Sequence, residues 1–203
     1  QFIRRGSVHR MIQRRWQLWL VFLIFAWPVR LAVAQDRVIP LEEALNTTGT
    51  VIMIRHALAP GFGDPSNFRV EDCSTQRNLD KRGRQQSRAI GQEFRQLNYS
   101  APVVYSSPWC RCLDTARLMQ IGPVTAFQGL GSFFEGHVDR SQSLNALSEK
   151  LSSIAKEQMQ PVVMVTHQVV ISAITGLGTS SGEAILYDPS DQRAIRIRLN
   201  SSD

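Results

Sequence analysis

Cysteine is scarce: the 203-residue chain has three, Cys73, Cys110 and Cys112. Three thiols exclude a disulfide scaffold. The Cys-x-Cys pair has no further ligand cluster at zinc-like spacing, so no metal site is expected. An oxidising compartment would permit one bridge, from Cys73 to either Cys110 or Cys112; otherwise all three are ordinary thiols. Also missing is an apolar run of the ~20 residues that span a hydrocarbon core. The stretch Trp16 to Val29 has 14 and includes Pro28. Internal repeats and low-complexity linkers are absent, which leaves one compact unit rather than an array.

Acidic residues are missing from one region. Residues 1–34 hold Arg4, Arg5, Arg10, Arg14, Arg15 and Arg30 and no Asp or Glu. The whole chain has 23 Lys and Arg against 17 Asp and Glu, but with those six set aside the rest carries 17 of each sign. A neutral domain argues against a nucleic-acid partner. The first segment has the form of a targeting sequence: Met11 is the first methionine, Arg14 and Arg15 follow, the apolar stretch comes next, and Ala32-Val33-Ala34 forms a small-x-small cleavage site. Arg14-Arg15 alone is slender support for twin-arginine export. The expected division is 1–34, upstream residues and signal peptide, and 35–203, one domain large enough for a core. Its expected location is periplasmic or secreted, with a membrane touched only through an uncleaved signal segment. Oligomeric state has no signature here.

Val51 to Ile54, Val103 to Tyr105 and Val162 to Val165 are short apolar runs without polar alternation, the pattern of strands covered on both faces. Between them lie helical periods: Ile90, Phe94 and Leu97 after the cap candidate Asp80, then Leu144, Leu147, Leu151 and Ile154. This alternation predicts a single three-layer α/β domain, a mainly parallel central sheet flanked by helices. In such sheets the site lies beyond the carboxyl ends of the strands. Arg55-His56 follow the first run, Ser106 to Arg111 the second, and Thr166-His167-Gln168 the third. Three strands thus deliver polar groups to one edge.

With Arg55-His56-Ala57, the turn Ser106-Ser107-Pro108 with Arg111, and His167 after an apolar strand, the chain resembles the histidine phosphatase superfamily, which includes the phosphoglycerate mutases. The resemblance covers roughly residues 49 to 187; Leu79, Gly83 to Gln86 and Asp114-Thr115-Ala116 add softer support. It implies a phosphoglycerate mutase-like fold and a phosphatase that works through phosphohistidine, without metal or cofactor. The chemistry agrees. A transferring phosphoryl group spreads charge over three oxygens, which two permanently charged guanidiniums, Arg55 and Arg111, can grip in fixed geometry. Ser107 reads as an N-cap and phosphate contact with Pro108 at the first helical position, which sets Arg111 in the first turn. His56 is the expected nucleophile, kept neutral by neighbouring cations. The resemblance gives His167 the role of donating to a phosphoryl oxygen. The layout resembles a small exported bacterial branch, some of whose relatives act on phosphorylated lipopolysaccharide sugars.

The chain departs from the family in two places. Ala57 replaces the glycine of Arg-His-Gly, so a loop difference is expected if that position needs positive φ. Ser132 stands where many members carry an acid. A leaving alkoxide needs a proton, and Glu135 is the first candidate donor, with Asp64 and Asp72 behind it. Without an acid, good leaving groups are favoured, phosphoramidates among them. The long loop Leu58 to Asn78 is expected to form the substrate rim, with Asn67 and Arg77 as contacts. Lys81 to Arg84 reads as a solvated charged face, and Gly176-Leu177-Gly178 as a turn. The expected activity is therefore exported hydrolysis of a phosphomonoester or phosphoramidate, from a phosphorylated small molecule or surface sugar. The alternatives are a protein phosphohistidine phosphatase and a non-catalytic phospholigand binder of the same fold.

Overall fold

The computed structural model describes residues 37 to 201; the expected signal segment and cleavage site lie outside the described residues. Seven strands, β1 (Val38–Pro40), β2 (Val51–Arg55), β3 (Val104–Ser106), β4 (Val124–Ala126), β5 (Val162–Thr166), β6 (Ala184–Asp188) and β7 (Arg193–Arg198), form one sheet in the order β1-β7-β6-β2-β5-β3-β4. β2, β5, β3 and β4 pair in parallel, as do β1 and β7. β6 alone runs against its neighbours. The second strand begins at Val104 rather than Val103 and extends to Ser106.

Helices α1 (Leu41–Leu45), α2 (Lys81–Gln96) and α3 (Cys110–Met119) cover one face, where Ile52, Ile54, Val163 and Val165 point. α4 (Arg140–Glu157) and α5 (Gln168–Thr175) cover the other, where Val51, Met53 and Met164 point. Successive residues of a strand face opposite sides, so two covered faces demand an unbroken apolar run, and that is why β2 and β5 lack alternation. Each fully buried aliphatic contributes roughly 1.5–3 kcal/mol.

Asp80 caps α2, its carboxylate accepting from Gly83 N at 2.7 Å. The helix buries Ile90 and Phe94 as the spacing predicts, but it ends at Gln96. Leu97 falls on the C-cap and is 38% exposed, because Asn98 turns into the left-handed region at φ 56°. Gly83 is where the backbone of the long loop crosses α2: a Cβ there would lie 2.0 Å from Leu58 O. Lys81, Arg82 and Arg84 are exposed on the outer face, and Gly176 ends α5 as a turn at φ 72°.

Candidate active site

The strand order β2-β5-β3 sets three strand ends side by side. β5 also carries its neighbours past the sheet: His56 N donates to Thr166 O at 2.9 Å, and Ser107 N donates to Val165 O at 2.9 Å. Above this edge lies a cavity of about 430 Å³ lined by Arg55, His56, Arg77, Arg111, Glu135 and His167, among others. Residues drawn from five places in the sequence thus meet around one space.

His56 is 2% exposed, and its Nδ1 lies 2.8 Å from Ala57 O. A carbonyl only accepts, so Nδ1 carries the proton and Nε2 keeps its lone pair. Burial, then Arg111, pushes the imidazole pKa down to about 3; the Ala57 bond opposes this, and Arg55 and Arg77 add to it. The ring is therefore neutral at any ordinary pH. Ala57 takes no positive φ. It is fully buried and its N–H donates to Thr115 Oγ1 at 3.0 Å, so its Cβ meets no positive-φ strain there.

Arg111, in the first turn of α3, is 3% exposed. Its Nη1 donates to both oxygens of Asp64, at 2.8 and 3.1 Å. Arg55 Nη1 donates to Thr179 O at 2.6 Å and to Gln168 Oε1 at 3.3 Å. Each arginine is fixed from behind through Nη1, and among the described residues neither buried Nε has a partner. Arg77 Nε donates to Gly63 O at 2.9 Å and its Nη1 to Ala59 O, so this side chain both closes the long loop and lines the cavity. Burial and then Arg111 lower its pKa, against the pull of Asp64.

His167 follows β5 and is buried, 5.5 Å from His56 between ring centroids. Its Nε2 lies 2.8 Å from Ser107 Oγ and 3.5 Å from Cys112 Sγ. Burial, then Arg111, holds its pKa well below the usual value, so it too is neutral. Ser107 does not line the cavity and does not cap α3. That helix begins at Cys110 because Trp109, fully buried, keeps an extended conformation (ψ 137°) and donates Nε1 to Asp64 at 3.2 Å. Pro108 consequently stands before the helix rather than in its first position. Ser107 instead supports His167 from behind.

Cys73 bonds Cys110, which settles the pairing left open by sequence; Cys112 is free and buried, its thiol pushed up to about 12 by burial. The bridge ties the long loop to the first residue of α3, and Gln76 Oε1 accepts from Cys110 N at 2.9 Å in the same place.

Asp64 is not a proton donor. Burial would raise its pKa, but bonds from Arg111, Arg77 N and Trp109 with the charge of Arg111 hold it below the usual carboxylate range. Asp72 is no candidate either: it accepts from Ser74 and pairs with Arg69 on the exposed side of the loop. Glu135 does reach the cavity rim, where Oε2 accepts from Asp64 N at 2.8 Å and lies 3.5 Å from His137 Nε2. Asn67 is exposed and does not line the cavity, since Phe68 N turns back to Pro65 O and sets it on the outside. Ser132 is buried on the cavity wall. Asp64, Glu135 and His137 bring ligand atoms within 4.8 Å of one another, yet Asp64 is already saturated by Arg111, Arg77 and Trp109, so the cluster does not fit a cation.

Several supporting residues escape sequence reasoning. Gln168 orients Arg55, and Gln86 bridges Leu58 N to Ser181 O at 3.0 Å each. Gln86 and Thr115 lie in the motifs that support the family resemblance, which was the only available signal for them.

The model of the histidine phosphatase superfamily (branch 1) matches residues 51–139, which include Arg55, His56 and Arg111 but not His167. Among curated proteins none matches the sequence. Among solved structures, the protein histidine phosphatase SixA complexed with tungstate is 15% identical, with 72% of this chain and 93% of that one covered and a TM-score of 0.50. Mycobacterial hydrolase 2 is 16% identical over 77% and 92%, with a TM-score of 0.50. Phosphoglycerate mutase from Plasmodium falciparum is 14% identical over 78% and 94%, with a TM-score of 0.48. At such identities the likeness is one of fold. The fold is a single α/β domain with a mostly parallel sheet, and the similarity to the histidine phosphatase superfamily is confined to residues 51–139.

Proposed function

We propose that the protein is an exported histidine phosphatase that hydrolyses a phosphomonoester or phosphoramidate through a phosphohistidine on His56, without a metal ion. One observation carries this reading: a neutral imidazole with Nδ1 committed to Ala57 O stands in a cavity with three arginines and a second neutral histidine.

Arg55 and Arg111 grip the phosphoryl oxygens and supply the positive charge that the transition state requires. Ser107 donates to His167 Nε2, which leaves Nδ1–H to donate to a phosphoryl oxygen. His56 Nε2 attacks phosphorus as the bond to the leaving group breaks, and Glu135 or water supplies the proton that group takes up. Water then attacks the phosphohistidine, the P–N bond breaks, and phosphate departs while the proton released by water returns to the same acceptor. Ser132 cannot act as an acid, so where water rather than Glu135 supplies the proton, groups that leave without strong protonation are favoured.

Export is supported by the segment around Met11 to Ala34 and by the Cys73–Cys110 bridge, which an oxidising compartment preserves. The proposed substrates are phosphorylated small molecules or surface sugars. Ser132 also favours a second reading, a protein phosphohistidine phosphatase, since a phosphoramidate needs less acid assistance; SixA, of the same fold, is described as a protein histidine phosphatase.

The test is to trap acid-labile phosphate on the purified domain and map it. The label is expected on His56, His56→Ala is expected to abolish turnover, and EDTA is expected to leave it intact. Bound phosphate with no covalent label would indicate a binder instead.

A further inference from the structure

Two phenylalanines at the mouth of the cavity take no part in the chemistry above. Phe62 is 86% exposed and Phe134 is 49% exposed, yet both line the cavity. They come from different rim loops and meet edge to face, with ring centroids 5.2 Å apart and planes at 90°. Asp64 N joins the same two loops by donating to Glu135 at 2.8 Å. Gly61 and Gly63, on either side of Phe62, have φ of 101° and 64°. Both lie in a region that side chains avoid, so the backbone is shaped around this one aromatic residue.

Large apolar side chains left open to water at a ligand cavity mark a contact that the ligand completes. Size points the same way. A cavity of about 150 Å³ takes a benzene ring, and this one measures about 430 Å³, room for a ring in addition to a phosphoryl group. Apolar rim and cavity size converge on one substrate class.

Resting on the phosphatase reading, we infer that Phe62 and Phe134 form an aromatic clamp that selects substrates whose phosphoryl group is attached directly to an aromatic or heteroaromatic ring. The ring packs against the phenylalanines while the phosphoryl group reaches the arginines below. The clamp adds binding and orientation and takes no part in bond making, so it is separable from catalysis.

Phosphonates test it without turnover. Phenylphosphonate and methylphosphonate share the anionic head, and their affinities are measured by calorimetry on the folded chain. Wild type is expected to prefer the phenyl compound by about tenfold, the scale of an aromatic contact. Phe62→Ala/Phe134→Ala is expected to lose that preference while its affinity for methylphosphonate stays unchanged. Phe62→Ala alone, at the more exposed position, is expected to lose part of it. Equal affinities in wild type, or a preference kept by the double variant, would overturn the clamp. Because these are binding measurements, they remain readable even if no label ever appears on His56, so failure of the clamp and failure of the phosphatase reading are told apart.

Discussion

Replacing Asp64 with asparagine should damage this protein twice, in stability and in rate. The carboxylate is 2% exposed and its partner Arg111 4%. It accepts from Arg111 Nη1 at 2.8 and 3.1 Å, from Arg77 N at 2.9 Å and from Trp109 Nε1 at 3.2 Å. Removing one partner of a buried pair costs about 3–5 kcal/mol, because the other charge stays behind unpaired. Asparagine keeps one acceptor oxygen, so the lower end, about 3 kcal/mol, is expected. For a domain of this size that is a fall in Tm of roughly 6–12 °C. Arg111 also loses the contact that aims it, and a misplacement near 1 Å costs about 100-fold in rate. Thermal unfolding by circular dichroism and steady-state kinetics on an aryl phosphate read the two effects. The Asp64 pKa is lowered on folding, so its contribution is present above the unfolded value of about 3.9 and is lost as pH falls through the lower folded value. The stability difference between wild type and variant should therefore narrow only in strong acid. A variant with wild-type Tm and wild-type kcat would refute the reasoning, since it would mean that Arg111 needs no anchor.

Two further outcomes are expected. With its pKa pushed down to about 3, His56 should show no NMR titration between pH 5 and 8, and it should set no acid limb of kcat/KM in that range. Because this pKa is lowered on folding, the unfolded chain binds the extra proton, so His56 makes stability rise with pH from about 3 to its ordinary value near 6.5; an imidazole titrating near 6.5 would contradict the burial argument. Cys73→Ser/Cys110→Ser opens a link of 37 residues and should cost about 3–4 kcal/mol on the loop-entropy scale, read as a lower midpoint in urea; an unchanged midpoint would show that the long loop holds without its tether.

Much of the fold was legible because β2 and β5 are apolar on both faces and α2 and α4 have capped, periodic cores. Where periodicity misled, a local conformation intervened: Asn98 at positive φ ended α2 one residue early and turned Leu97 outward. Arg55, His56, Arg111 and His167 were expected at one edge because strand ends in such sheets share it, and Glu135 was expected as the acid nearest Ser132; the structure brings all five to one cavity. The N-cap reading of Ser107 failed because burial of Trp109 delayed the helix. Asn67 failed because a turn inside a long loop decides sidedness, and no periodic pattern encodes a turn of that kind.

Local chemistry therefore determined the layered α/β plan, the neutral histidine among arginines and the lack of an acid at Ser132. Only tertiary structure decided which cysteine meets Cys73, that Asp64 neutralises Arg111 instead of donating a proton, that Ser107 props His167, and that two distant phenylalanines share the cavity mouth. The reason is one of range. Propensity and periodicity act over a few residues, whereas each of these four pairings joins positions 37 to 72 residues apart that meet only once the sheet order is set.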